Sequence, residues 1–177
     1  MSAPLPPNER ERLQALRRQA ILDTPPEAAF DRIARLAARL LEVPIALVSF
    51  IDERRQWYKA CHGARWRQVG RELTVCTYTI LTDALTIVPD LSSDRRFADK
   101  PYVTGPAHLR FYAGAPLKSA DGFNIGTLCA IDTQSRELGP EPQEALRDLA
   151  ALTTDELRLR LALAEGRLAA KRLIREH

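Results

Sequence analysis

The stretch from His108 to Asp132 constrains the fold of this chain more than any other. Residues 110–117 and 124–131 are rich in aromatic and branched side chains, and Ser119-Ala-Asp121-Gly122 lies between them. Asp-Gly between two such runs is a strong hairpin signal, because both positions tolerate a positive φ. Ala113, Gly114, Ala115 and Gly126 are small, which marks strands that another group approaches closely. No catalytic triad, metal cluster or phosphate loop lies in or around this hairpin.

With 177 residues, 45% of them hydrophobic, the chain can bury one good core, so a single domain with flanking helices is expected. Its formal charge of +3, from 26 basic and 23 acidic residues, implies no strong field for nucleic acid or membrane. The basic residues from Arg167 to Arg175 read as a solvated helix surface. Trp57 and Trp66 read as hairpin packing and a loop anchor, since a nucleic-acid stacking platform needs several aromatics amid basic residues. Cys61, Cys76 and Cys129 are widely spaced and odd in number, which argues against a secreted disulfide framework. The N-terminus lacks a charged segment followed by an apolar one, and no apolar run approaches the ~18 residues of a spanning helix. The expectation is a cytoplasmic protein with no nucleic-acid, membrane or metal partner.

Residues 1–7 are Pro-rich and read as loose. Asn8 can cap a first helix that places Leu13, Leu16, Ala20 and Ile21 on one face. Thr24 and Glu27 are spaced as a capping box, with Pro25 and Pro26 in the first turn of a second helix reaching about Leu41. Residues 43–51 read as a buried strand and 56–62 as its hairpin partner; 63–72 reads as a loop. Residues 73–81 form a short helix or irregular segment, 86–89 a short strand, and 90–105 a loop with helical turns. The last helix, from Pro140 to about Arg172, would be roughly 33 residues, or about 50 Å, longer than such a domain can cover. An overhanging helix usually finds a partner helix, so a parallel homodimer is expected, with Leu13, Leu16, Leu149, Leu157, Leu161 and Leu168 at its interface. The sum is an α+β fold: a mostly antiparallel sheet of about five or six strands, helices on one face, and a long C-terminal helix.

Several short segments, in order, carry a family resemblance. They are Leu22-Asp-Thr-Pro25 with Phe30-Asp31, Val43-Pro-Ile-Ala-Leu-Val-Ser49 with Asp52, and Arg55-Gln-Trp-Tyr-Lys59. Val88-Pro-Asp90 with Asp94-Arg-Arg-Phe-Ala98, Arg110-Phe-Tyr-Ala-Gly-Ala-Pro-Leu117 and Gly126-Thr-Leu-Cys-Ala-Ile-Asp132 complete the set. Together they resemble a GAF domain, a profilin-like sensing module, over residues 8–157, with 158–177 as an extension of the last helix. The resemblance is strongest to the bacterial sensor subgroup found beside histidine kinase and diguanylate cyclase domains. Where that subgroup shows Phe-Cys-x-His, this chain has Val75-Cys-Thr-Tyr78, so any ligand or metal role of that histidine is in question here.

The resemblance implies a pocket between the hairpin and residues 73–81, with Cys76 and Cys129 on opposite walls. They read either as two small buried side chains or as a redox pair or soft-metal site. Arg110, Tyr78 and Tyr112 are the polar candidates for ligand contact, Arg110 through its bidentate fork or, alternatively, as an ion pair with Asp90 or Asp94. Asp132 reads as a turn former. Cys61-His62 resembles the pair that anchors linear tetrapyrroles in light-sensing relatives, but it falls on a strand, so chromophore attachment is not expected. The expected function is a non-catalytic regulatory module for an unknown small molecule, its cofactor unknown, that relays ligand state through a helical dimer interface in signal transduction, with a signalling protein as a candidate partner. The alternatives are a thiol-dependent methionine sulfoxide reductase-like enzyme, or a dimerisation scaffold without ligand.

Overall fold

In the computed structural model, which describes residues 3–176, two amphipathic helices precede the sheet. Met1, Ser2 and His177, at the ends of the expected loose segment and helical extension, lie outside the described residues. Helix α1 (Glu9–Arg18) buries Leu13, Ala15 and Leu16, with Glu9 and Glu11 in its first turn and Arg17 and Arg18 in its last, as its dipole favours. Helix α2 (Ala28–Leu40) buries Phe30, Ile33, Ala34, Ala37 and Ala38. The capping box does not form. Thr24 Oγ1 donates to the Ile21 carbonyl and accepts from Lys59 Nζ, while the Glu27 carboxylate turns to Lys59 and Arg160. Pro25 and Pro26 therefore precede the helix instead of starting it.

Six strands follow: β1 (Ile45–Ile51), β2 (Arg55–His62), β3 (Gln68–Gly70), β4 (Thr86–Val88), β5 (Phe111–Lys118) and β6 (Asn124–Asp132). They lie in the order β3-β2-β1-β6-β5-β4, and every neighbouring pair is antiparallel. β3 occupies residues expected to be loop. The β5–β6 connection keeps only Gly122 at positive φ, with its N–H bonded to the Ser119 carbonyl and Phe123 N–H to Ser119 Oγ. Gly126 is small because a Cβ there would lie 2.2 Å from the Ser49 carbonyl oxygen.

Both faces of the sheet are covered. Helices α1, α2 and the first half of α5 (Pro140–Arg175) pack over Phe50, Phe111, Leu117 and Leu128. On the other face the crossover, with α3 (Cys76–Thr79) and α4 (Pro101–Thr104), packs Val75, Ile80, Leu91, Phe97 and Leu109 on Leu47, Tyr112, Cys129 and Ile131. The continuous apolar run of β1 follows from burial on both sides.

Helix α5 is 36 residues long, about 54 Å, and its last buried side chain is Leu157. This redistributes the leucines expected at a dimer seam. Leu13, Leu16, Leu149 and Leu157 are spent in the domain's own core and Leu161 is half-buried, whereas Leu168 is exposed. The large exposed apolar residues of α5 are Leu152, Leu159, Leu163, Leu168, Leu173 and Ile174.

Candidate ligand pocket

Strand β2 builds one wall of a cavity. Its alternation sends Trp57 toward the helices and Gln56 and Tyr58 toward the crossover. Between this face of the sheet and the crossover lies a cavity of about 260 Å³. Leu47, Tyr112 and Ile131 form its floor, and Trp66, Gln68, Leu73 and Ala107, all exposed, form its mouth. Among the described residues, no Lys, Arg, His, Asp or Glu side chain lines it.

The polar groups are few and mostly engaged. Gln56 Nε2 donates to Ser49 Oγ at 2.7 Å, and Ser49 bonds Thr127 at 2.8 Å. Tyr58 makes a long 3.5 Å contact to Gln56 Oε1. Burial pushes the Tyr58 phenol well above its ordinary range, so it enters binding as a neutral donor. Trp66 lies against the Tyr58 ring, with centroids 6.3 Å apart.

Tyr112 runs along the sheet over Gly114, where a Cβ would lie 2.2 Å from the phenol oxygen. That oxygen sits 2.7 Å from Thr79 Oγ1 and 3.1 Å from Cys76 Sγ. Burial keeps this phenol protonated as well. The Cys76 and Cys129 sulfurs are 3.8 Å apart; Cys129 is fully buried and Cys76 keeps 2% exposure on the cavity wall. Burial alone would raise the Cys76 thiol; hydrogen bonds with Cys129, Thr127, Tyr112 and Thr74 outweigh it and bring the thiol down to about 6. Its bond with Cys76, then burial, pushes Cys129 up, so Cys76 is the more acidic sulfur.

Of the five ligand-contact candidates, Cys76 and Tyr112 line the cavity and Cys129 lies one sulfur behind. Tyr78 packs edge-on against Phe97, with the Arg96 guanidinium 5.3 Å from its ring centre. Arg110 takes neither of its expected roles: it donates to the Val103 and Leu109 carbonyls and bonds His108 Nδ1. Asp94 pairs with Arg96 instead, and Asp90 caps the turn at Ser92. Asp132 does end its strand in a turn, accepting from Gln134 N–H and pairing with Arg136. Cys61 and His62 fall at the end of β2, with His62 exposed. Gln56, Tyr58 and Trp66 were missed as pocket residues; the alternation of β2 was the available signal for the first two.

Behind the pocket a partly buried ion cluster joins β2 to the helices. Lys59 is the extra residue of a bulge in β2, since Val48 faces Ala60 and Ser49 faces Tyr58. Its fully buried ammonium pairs with Glu27 at 2.6 Å and donates to Thr24 Oγ1 and the Pro25 carbonyl. Arg160 of α5 bonds the same carboxylate at 2.8 Å and the Gln19 carbonyl at 3.1 Å. Among the described residues, no group of three or more His, Cys, Asp or Glu is placed to hold a metal, and no helix is long and apolar enough to cross a membrane.

A six-stranded antiparallel sheet, helical on one face and roofed by a crossover over a cavity on the other, defines a pocket-bearing α+β module. The chain belongs to the GAF domain family, which matches residues 25–157. It is 40% identical over 149 residues, 84% of its length, to the cyclic di-GMP phosphodiesterase PA2567 of Pseudomonas aeruginosa. It spans only 24% of that protein. The fold is shared with the GAF domain of an Acinetobacter phosphoenolpyruvate-protein phosphotransferase (TM-score 0.63, 16% identity, 88% of this chain and 98% of that one). It is shared equally with the free methionine-R-sulfoxide reductase of Neisseria meningitidis (TM-score 0.63, 16% identity, 88% and 90%).

Proposed function

We propose that this chain is a regulatory binding module that takes a small, neutral, largely apolar molecule into the cavity and relays its presence through α5 to a second copy. The absence of any cationic side chain from the lining carries this reading. A phosphate or carboxylate placed there would give up its hydration for no opposite charge, at a cost of several kcal/mol. Tyr58, Tyr102 and Gln68 offer neutral polar tips around apolar walls, the pattern of a small-molecule site. The cavity also speaks against a scaffold with a packed interior.

The relay starts at β2, where Tyr58 touches the pocket and Lys59 touches Glu27. Glu27 in turn holds Arg160 of α5. Two arrangements of this cluster, differing in affinity for the ligand, couple the sites by about 1–3 kcal/mol. Beyond the core, Leu152, Leu159, Gly166 and Leu173 recur every seventh residue, with Leu163 and Ala170 between them, all exposed. That spacing suits a coiled-coil seam with a second α5. By likeness to the phosphodiesterase we read the module as a cytoplasmic regulator in cyclic di-GMP turnover and not as its active site, because the lining offers no positive charge to meet phosphates.

The same lining weighs against the reductase reading, since a free amino acid brings a carboxylate that no cationic side chain there would meet. Turnover of methionine sulfoxide with thioredoxin, lost in Cys76→Ser, would reverse that judgement. The binding reading is tested by thermal shift against panels of neutral and anionic metabolites. A ligand at 100 times its Kd adds about 2.7 kcal/mol of stability. At least one neutral compound is expected to stabilise the wild type and not Val69→Trp, which fills the cavity wall. Stabilisation by anions alone, or equally in both proteins, contradicts it.

A further inference from the structure

Two thiols in contact, one of them on a cavity wall, form a chemical site that ligand binding does not require. Cys76 opens α3, a single helical turn in the crossover, and Cys129 lies in β6, paired with Leu47 and Gly114. Their sulfurs are 3.8 Å apart; a disulfide at ~2.05 Å needs them to approach by just under about 2 Å. The partner that must move is the lightly tethered one. Around Cys76 the crossover is held by Thr77 Oγ1 to the Arg71 and Thr74 carbonyls and by Thr74 Oγ1 from Cys76 N–H. β6, by contrast, is paired on both sides. The cavity brings a small oxidant to Cys76 and not to Cys129, so the two have different roles. Cys61, the third thiol, bonds the Ala64 carbonyl and lies outside the pair.

We propose that Cys76 and Cys129 are a reversible dithiol–disulfide couple, oxidised by small hydroperoxides that enter the cavity and reduced by soluble dithiols. In the first step the Cys76 thiolate attacks the terminal peroxide oxygen. The O–O bond breaks, Cys76 becomes a sulfenic acid, and the alcohol or water leaves with the proton that the thiol gave up. In the second step Cys129 attacks the Cys76 sulfur, the S–O bond breaks, and its thiol proton leaves with the hydroxide as water. Two electrons pass from the two thiols to the peroxide, and one S–S bond is made. Tyr112 sits at the reacting sulfur, 3.1 Å away, with its own oxygen held by Thr79. It is a positioning residue that donates to the thiolate. The bond would pin α3 to the sheet, draw the Cys76 sulfur out of the cavity wall, and leave the Tyr112 hydroxyl on Thr79 alone.

The test treats the folded full chain with a few equivalents of hydrogen peroxide, then alkylates remaining thiols under denaturing conditions and maps peptides by mass spectrometry. The expected product is a peptide pair joined through Cys76 and Cys129, two hydrogens lighter than the reduced pair, with Cys61 fully alkylated. Dithiothreitol should restore both alkylation sites. In Cys129→Ala, Cys76 should stop at a sulfenic acid that a cyclic diketone traps; adding Tyr112→Phe to that variant should slow the trapping by roughly tenfold, as loss of a hydrogen bond to a charged group does. Cys76 and Cys129 both fully alkylated after peroxide, or joined to Cys61 instead of each other, would overturn the proposal. The outcome is independent of whether any metabolite binds the pocket.

Discussion

Gly114 shows how one residue sets the floor of the pocket. Its missing Cβ leaves room for the Tyr112 phenol to lie flat on the sheet and reach Cys76 and Thr79. Gly114→Ala should cost about 1–3 kcal/mol by urea denaturation, as overpacking of a tight core does. In a Tyr112→Ala background the same change should cost little, because the clashing ring is gone. Equal costs in both backgrounds would refute the contact. Glu9 is a second case. Burial would raise its carboxyl, but bonds from Arg12 and Arg71 hold it at about 2, below its ordinary 4.5. A depressed carboxyl contributes stability that is present above the ordinary value and lost as the pH falls toward 2. Glu9→Gln should therefore cost roughly 2–3 kcal/mol at pH 7 and almost nothing near pH 2, measured by denaturation at both. A gap that does not change with pH contradicts the assignment.

At the scale of elements, the hairpin and the long helices were legible because their patterns are local: two apolar runs around Asp121-Gly122 in β5 and β6, three-to-four spacing in α1, α2 and α5. β3 was not, since three residues with a polar flank carry no periodic signal and its pairing with β2 is tertiary. The false capping box has the same origin: Thr24 and Glu27 are taken by Lys59 and Arg160, which are remote in sequence. The site divides likewise. Cys76 and Tyr112 were legible through the resemblance, whereas Gln56 and Tyr58 needed the knowledge that β2 is covered on its second face. Arg110 was misread because its guanidinium serves the carbonyls around α4, a use invisible in sequence. For α5, Leu159→Glu with Leu163→Glu should convert a dimer to monomer by light scattering and leave the melting temperature of the domain nearly unchanged, since both side chains are over half exposed. A dimer that survives would move the seam elsewhere.

At the scale of the molecule, pocket and overhanging helix lie on opposite faces of one sheet, joined at Lys59, Glu27 and Arg160. Removing Arg160 should separate the two halves of the function. Arg160→Ala is expected to bind a stabilising ligand within about threefold of wild type while α5 loses its ligand-dependent change in protease cleavage, a coupling of about 1–3 kcal/mol. Unchanged ligand dependence would dismiss this route. The central claim, a neutral molecule held in the cavity, is met most directly by native mass spectrometry of protein purified from a bacterial cytosol, wild type beside Val69→Trp. A small neutral mass increment per chain is expected in the wild type and absent from the variant. The same increment in both, or a bare wild-type chain even with the compounds that raise its melting temperature, would contradict it.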